Sequence, residues 1–141
     1  MTLTEAADHF GKMADGLTSE AQRVTRDTLA DVFAAARLYS SGGLSSRRLR
    51  QLGHPYRLGG TPPQDPAVIN VQSGEFRAAW EIVPAADGLS GSVVNQTPQA
   101  EFLRRGTSRM IARPLVERVE EEVMPRHQAR VEAALKALLG A

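Results

Sequence analysis

Residues 73–98 read SGEFRAAWEIVPAADGLSGSVVNQTP, and this stretch decides the fold class. Phe76, Ala78, Trp80 and Ile82 alternate with polar or small residues, the period of a half-buried strand. A one-turn helix capped by Ser73, leading into a shorter strand from Trp80, fits the same residues nearly as well. Residues 84–88 form a turn, and residues 89–96, with Val93 and Val94, pair as the next antiparallel strand. Upstream, the β-branched Val68, Ile69 and Val71 suit a further short strand. A sheet of two to three short strands is not stable alone and needs a helix laid over it. Both flanks supply one, which makes the chain α+β.

On the N-terminal side, Leu3, Ala6, Ala7, Phe10, Met13, Ala14 and Leu17 recur at three- and four-residue steps, one face of a helix. Thr2 and Glu5 have the spacing of a capping box. The pattern resumes at Ala21, Val24, Thr28, Val32 and Ala35. Gly11 and Gly16 each cost about 1 kcal/mol relative to Ala in a helix interior. The segment is therefore one long helix to about Leu38, the preferred reading, or two helices broken at residues 16–19. A helix of that length cannot hide all its sides in so small a domain, so part of it is expected to meet a partner chain. On the C-terminal side, Thr97 and Pro98 open a short helix that Gly106 ends in the left-handed conformation. Residues 107–112 form a loop, and Arg113-Pro114 starts the last helix. Leu115, Val119, Val123, His127, Val131, Ala134, Leu135 and Leu138 hold one face of it. Pro125 removes a hydrogen bond in mid-helix and is expected to kink it. Trp80 is expected in the core beneath the two helices, with Phe76, Phe102 and Leu103 around it.

The 141 residues fit a single domain, 1–141. Hydrophobic residues at 42% and charged residues at 23% are ordinary globular values. A net charge of +1 argues against a polyanion-coating role driven by bulk charge. The absence of Cys excludes a disulfide framework, a thiolate metal site and a cysteine nucleophile. The longest apolar run, residues 32–36, is far short of the ~20 residues that cross a bilayer, and no membrane partner is expected. The N-terminus lacks the basic-then-apolar order of a signal peptide, which points to synthesis in a cytoplasm.

No catalytic, metal or cofactor site emerges. His9, His54 and His127 lack neighbouring ligand-type residues at metal spacing. Ser40-Ser41-Gly42-Gly43 lacks the lysine of a phosphate loop and reads as a linker. The one strong local bias is charge. No acidic residue occurs between Asp31 and Asp65, whereas Arg37, Arg47, Arg48, Arg50 and Arg57 do. All but Arg37 belong to an irregular Arg-, Gly- and Pro-rich loop at about residues 40–66, in which Ser45 caps a short turn ending at Gly53. This loop lacks the apolar residues to order itself and is expected to order in an assembly. Arg47, Arg48, Arg50 and Arg57 are contact candidates for phosphate or for carboxylates, and Glu117, Glu120 and Glu121 on the last helix offer the acidic counterpart in a neighbouring copy.

Two stretches carry a resemblance. Asn70-Val71-Gln72-Ser73-Gly74-Glu75-Phe76-Arg77-Ala78-Ala79-Trp80 looks like a Ser/Thr-Gly-x-hydrophobic-Arg segment before a β-hairpin. Residues 102–115 contain Gly106-Thr107, a short loop, then Ala112, Pro114 and Leu115 leading into a C-terminal helix. Together, and in this order, they resemble the neck, tail-completion or head–tail joining proteins encoded between the head-closure and tail-tube genes of long-tailed bacteriophages. The chain departs from that pattern where the family has a Tyr-Ala pair and an acidic residue before Gly-Thr. Ala100-Glu101 and Arg105 stand there, and residues 40–66 have no counterpart. The resemblance implies a non-enzymatic virion protein at the head–tail junction, without cofactor. It would form a hexameric or dodecameric ring against head-closure and tail proteins, with DNA in the channel as a further candidate partner. Its motif residues here are Ser73, Gly74, Gly106, Thr107, Ala112 and Pro114, which shape loops. The rival reading is a small nucleic-acid-binding regulator acting through residues 47–57.

Overall fold

The computed structural model describes residues 2–140. Helix α1 spans Leu3–Tyr39 without a break. The capping box forms as read: Glu5 N–H donates to the Thr2 hydroxyl at 3.2 Å, and Thr2 N–H donates to the Glu5 carboxylate at 2.6 Å. Helix α2, Ser46–Gln51, is capped by Ser45, whose hydroxyl accepts from Arg48 N–H at 3.1 Å. Helix α3, Glu75–Ala78, is a single turn that leads into strand β1, Trp80–Pro84. The second of the two readings of residues 73–83 is therefore the one adopted, with Gly74 rather than Ser73 at the cap. Strand β2, Gly91–Asn95, pairs antiparallel with β1, with Trp80 opposite Asn95 and Pro84 opposite Gly91. Helix α4 covers Pro98–Arg105 and α5 covers Leu115–Leu139.

The architecture is α+β, with a two-stranded sheet. The Val68, Ile69 and Val71 segment does not make a third strand. It forms only an isolated parallel bridge between Gly42 and Asn70; the backbone it bonds, Tyr39 and Gly42, is the end of α1 and the turn after it, not a strand. The hairpin is also more exposed than alternation implied, since Ile82 and Val83 both stay open to solvent. It leans on α1 along its edge: Gln22 donates to the Asp87 carbonyl at 2.9 Å, and a Cβ at Gly91 would strike Leu29 at 2.6 Å.

Helices α1 and α5 run antiparallel. Thr28 meets His127 at 2.9 Å, Asp31 accepts from Arg130 at 2.7 Å, and Arg126 lies 3.5 Å from the same carboxylate. The core gathers Ala35 and Ala36 of α1 with Leu115, Val119 and Val123 of α5 and Ile69 between them. Trp80, Phe76 and Leu103 pack against this cluster as expected, and Phe76 meets Trp80 edge-on at 5.7 Å. Phe102 does not; it is exposed on the outer side of α4. The Trp80 indole N–H donates to Ser40 Oγ at 2.8 Å, and Ser40 in turn donates to the Ala36 carbonyl at 2.7 Å. That pair fixes the end of α1 to the start of the hairpin, and each buried donor has its acceptor. Helix α5 continues through Pro125. Of its expected apolar face, Leu115, Val119, Val123 and Ala134 are buried, whereas Leu135 is exposed.

Candidate assembly surfaces

Residues 40–66 correct one expectation: the segment is tied to the body along its length. Leu49 and Tyr56 are buried and supply the apolar anchors thought to be missing. The Asn70 side-chain carbonyl accepts from Leu44 N–H at 3.1 Å and from Gln64 at 2.9 Å. The Tyr56 carbonyl accepts from Ile111 N–H at 2.9 Å, and Leu58 N–H donates to the Arg109 carbonyl at 3.0 Å. An isolated antiparallel bridge joins Arg57 to Met110. The arginine segment is thus stitched to the Gly106-Thr107 loop, a long-range pairing that charge bias alone could not reveal.

Arg113 is the rivet of this junction. It is 5% exposed, and its guanidinium sits 3.6 Å over the Tyr56 ring. Two of its nitrogens donate to the carbonyls of Pro66 and Val68. Burial lowers its pKa, opposed by the Tyr56 hydroxyl and by Asp65. Sequence reading saw Arg113 only as the residue before a helix-starting proline. An arginine has five donors, and here they hold together two segments some 45 residues apart in sequence. Pro114 occupies the cap of α5 rather than its first helical position.

The resemblance-derived residues all shape backbone. Ser73 Oγ accepts from Glu75 N–H at 3.3 Å, and Gly74 caps α3 with φ +82°. Thr107 Oγ1 accepts from Arg109 and Met110 N–H, each at 3.1 Å. Gly106 has φ +72° but ψ −179°, so it is not in the left-handed helical region expected of it; this conformation is essentially confined to glycine. A Cβ there would lie 2.7 Å from Ala112 N and 2.8 Å from the Met110 carbonyl oxygen. Gly106 and Ala112 are therefore a close backbone crossing. Thr97, by contrast, stands at the cap of α4 without a side-chain cap bond; its hydroxyl donates to Asn95 at 2.8 Å.

The charged candidates fall on two separate surfaces. Arg47, Arg48 and Arg50 project from α2, and Arg57 from the loop beside it; all four are exposed. Leu49, Arg57, Arg109, Leu103 and Arg113 line one hollow of about 300 Å³, so α2, the following loop, the Gly-Thr loop and α4 share a border. Arg109, missed by sequence reading, therefore joins the basic set; on α4, Arg105 is paired with Glu101 at 2.7 Å. Glu117, Glu120 and Glu121 are exposed on the first half of α5. Glu121 pairs with Arg118 at 3.4 Å, and Arg118 also binds Asp65. Among the described residues, no ion pair engages Arg47, Arg48, Arg50, Arg57, Glu117 or Glu120.

Among the described residues no group of three or more His, Asp or Glu is placed to hold a metal. No described helix is long and apolar enough to cross a membrane. No family model matches the chain, and no curated protein and no solved structure matches it.

Proposed function

We propose that this chain is a non-catalytic assembly subunit that joins head to tail in a long-tailed bacteriophage, closing into a ring through contacts between unlike surfaces. The observation that carries the assembly role is the pair of unspent charged surfaces. Arg47, Arg48 and Arg50 of α2 with Arg57 of the adjoining loop form one set, and Glu117 and Glu120 of α5 the other. Among the described residues, no ion pair engages either set within the chain. Contact between two different patches repeats from copy to copy and closes a ring when the rotation permits. The placement at the head–tail junction rests on the Ser73-Gly74 and Gly106-Thr107 segments and their order along the chain.

The test is charge reversal in assembling particles. Arg47→Glu with Arg48→Glu is expected to leave folding intact, since both side chains are exposed, and to reduce particle formation severalfold. Glu117→Arg with Glu120→Arg in the same chain should restore part of it. Normal particles from the doubly reversed arginine variant would remove this surface from the contact. Cross-links from wild-type chain to portal-side or tail-tube proteins are expected; a chain absent from particles that binds DNA specifically would replace this reading with the regulator.

A further inference from the structure

Helix α1 outruns α5, its main helical partner. The end of α5 lies over Gly16, where a Cβ would meet Leu138 at 3.6 Å. Residues 3–15 continue beyond that point, about 20 Å of helix at 1.5 Å per residue. The face they leave uncovered is the same face that α5 covers further along. Leu3 is 92% exposed, Phe10 67%, Met13 47% and Leu17 52%, while Val24 on the same stripe is buried. The α1–α5 seam thus runs on past the molecule, flanked by the exposed Leu135 and Leu139 at the end of α5.

The seam has a symmetry of its own. Its apolar positions are 3, 6, 7, 10, 13, 14 and 17, which mirror one another about residue 10. In an antiparallel pair of identical helices centred there, Leu3 meets Leu17, Ala6 meets Ala14, Ala7 meets Met13 and Phe10 meets its own copy. Leu faces Leu at the ends, Ala faces Ala inside them, and Met13 lies over the small Ala7. The charges avoid this contact. Glu5, Asp8, Lys12 and Asp15 lie roughly 140–220° round the helix from the seam, and its flanks carry Thr4, His9, Gly11 and Gly16. Nothing lies within 4 Å of a Cβ at Gly11, so this glycine makes no close approach inside its own chain. A glycine is unfavourable in a helix interior, yet on the flank of a self-contact Gly11 admits a second backbone, whereas Gly16 already lies against Leu138 of its own chain.

We infer that the free chain is a two-fold dimer through residues 3–17 of α1, with Phe10 on the axis. A two-fold contact is self-complementary, so it closes at two copies and leaves the basic end and the acidic α5 face free. Each copy's Leu3 then lies near the partner copy's α5 terminus. The inference concerns the chain before any ring forms and does not depend on the head–tail reading.

Light scattering of the purified full chain at tens of micromolar is expected to give twice the 15.3 kDa chain mass. Phe10→Glu is expected to give the single-chain mass with unchanged helical circular dichroism. Because the chain has no Cys, Phe10→Cys reports the axis directly. Mild oxidation should link it to its own copy in most of the protein, whereas Lys12→Cys, on the far side, should stay unlinked. A monomeric wild type overturns the inference. So does a dimer that survives Phe10→Glu, or one that links through position 12 in preference to position 10. Failure of the head–tail reading would appear in particle cross-linking instead and would leave these masses unchanged.

Discussion

Replacing Gly106 by Ala tests whether the crossing between the Gly-Thr loop and the start of α5 is as tight as its geometry shows. Two costs add. The φ +72°, ψ −179° conformation is nearly closed to residues with a Cβ, about 1–3 kcal/mol. The new methyl also meets backbone, Ala112 N at 2.7 Å and the Met110 carbonyl oxygen at 2.8 Å, which a rotamer change cannot relieve; overpacking of this kind adds about 1–3 kcal/mol. The sum is about 2–6 kcal/mol. For a domain of this length it lowers Tm by roughly 6–20 °C. Total stabilities of about 0.05–0.15 kcal/mol per residue leave such a variant folded at 25 °C. Gly59→Ala is the paired control. Gly59 has φ +74° but nothing within 4 Å of its Cβ position, so it carries only the conformational cost, about 1–2 kcal/mol. Urea denaturation of both variants separates the terms. Equal losses at the two sites, or a loss below about 1 kcal/mol at Gly106, would refute the claim that the crossing itself demands glycine.

Three further predictions follow the same logic. Arg113→Met keeps bulk against Tyr56 but strands the Pro66 and Val68 carbonyls; each buried acceptor left unpaired costs about 1–3 kcal/mol, and the protease sensitivity of residues 40–66 should rise before global unfolding. Ser40→Ala removes the acceptor of the only indole in the chain, so stability should fall by about 1–3 kcal/mol and Trp80 emission should shift; an unchanged spectrum and an unchanged urea midpoint would show that water replaces the hydroxyl. Burial and then the Glu122 carboxylate raise the Tyr39 pKa, against an opposing pull from Arg118. The folded state therefore holds this proton longer than the unfolded state does, and stability present below about pH 10 is lost as pH rises beyond it. Tyr39→Phe should flatten that alkaline decline in a series of denaturation curves; an identical slope would refute the assignment.

What the residues disclosed was local. Thr2 with Glu5, Ser45, the Ser40–Gly43 break and Thr107 all act through neighbours within a few positions, so their partners can be read by counting. The helix stripe on α1 was legible for the same reason. Contacts set by tertiary approach were not. Thr97 has the right type and place for a cap, yet its hydroxyl turns to Asn95 at the end of the hairpin and accepts no N–H of α4. Gly106 was recognisable as a positive-φ residue, but its extended ψ follows from the chain that crosses it. Arg113 was invisible as an anchor because its acceptors are carbonyls, which every residue owns and no composition flags. Phe102 shows the converse: an aromatic residue counted as core lies outside, because Leu103 takes the inward position on α4.

The two kinds of surface on this molecule differ in what they can hold together. An exposed ion pair contributes about 0–1 kcal/mol, so the arginines of α2 and the carboxylates of α5 cannot by themselves reach the ~8 kcal/mol of a micromolar complex. They can select a neighbour, set its register and speed its arrival, and a closed ring multiplies the effect because each copy is held from two sides. The apolar seam is different. Leu3, Phe10, Met13 and Leu17 are half to nine-tenths exposed, and full burial is worth about 1.5–3 kcal/mol for each such side chain. Two copies together gain of order 8–16 kcal/mol, against an association cost of about 4–15 kcal/mol. The two ranges overlap, so the contact is finely balanced and one charge at Phe10 is enough to abolish it. In the proposed ring, polar contacts between unlike surfaces would weaken with added salt, whereas the inferred α1 contact would not.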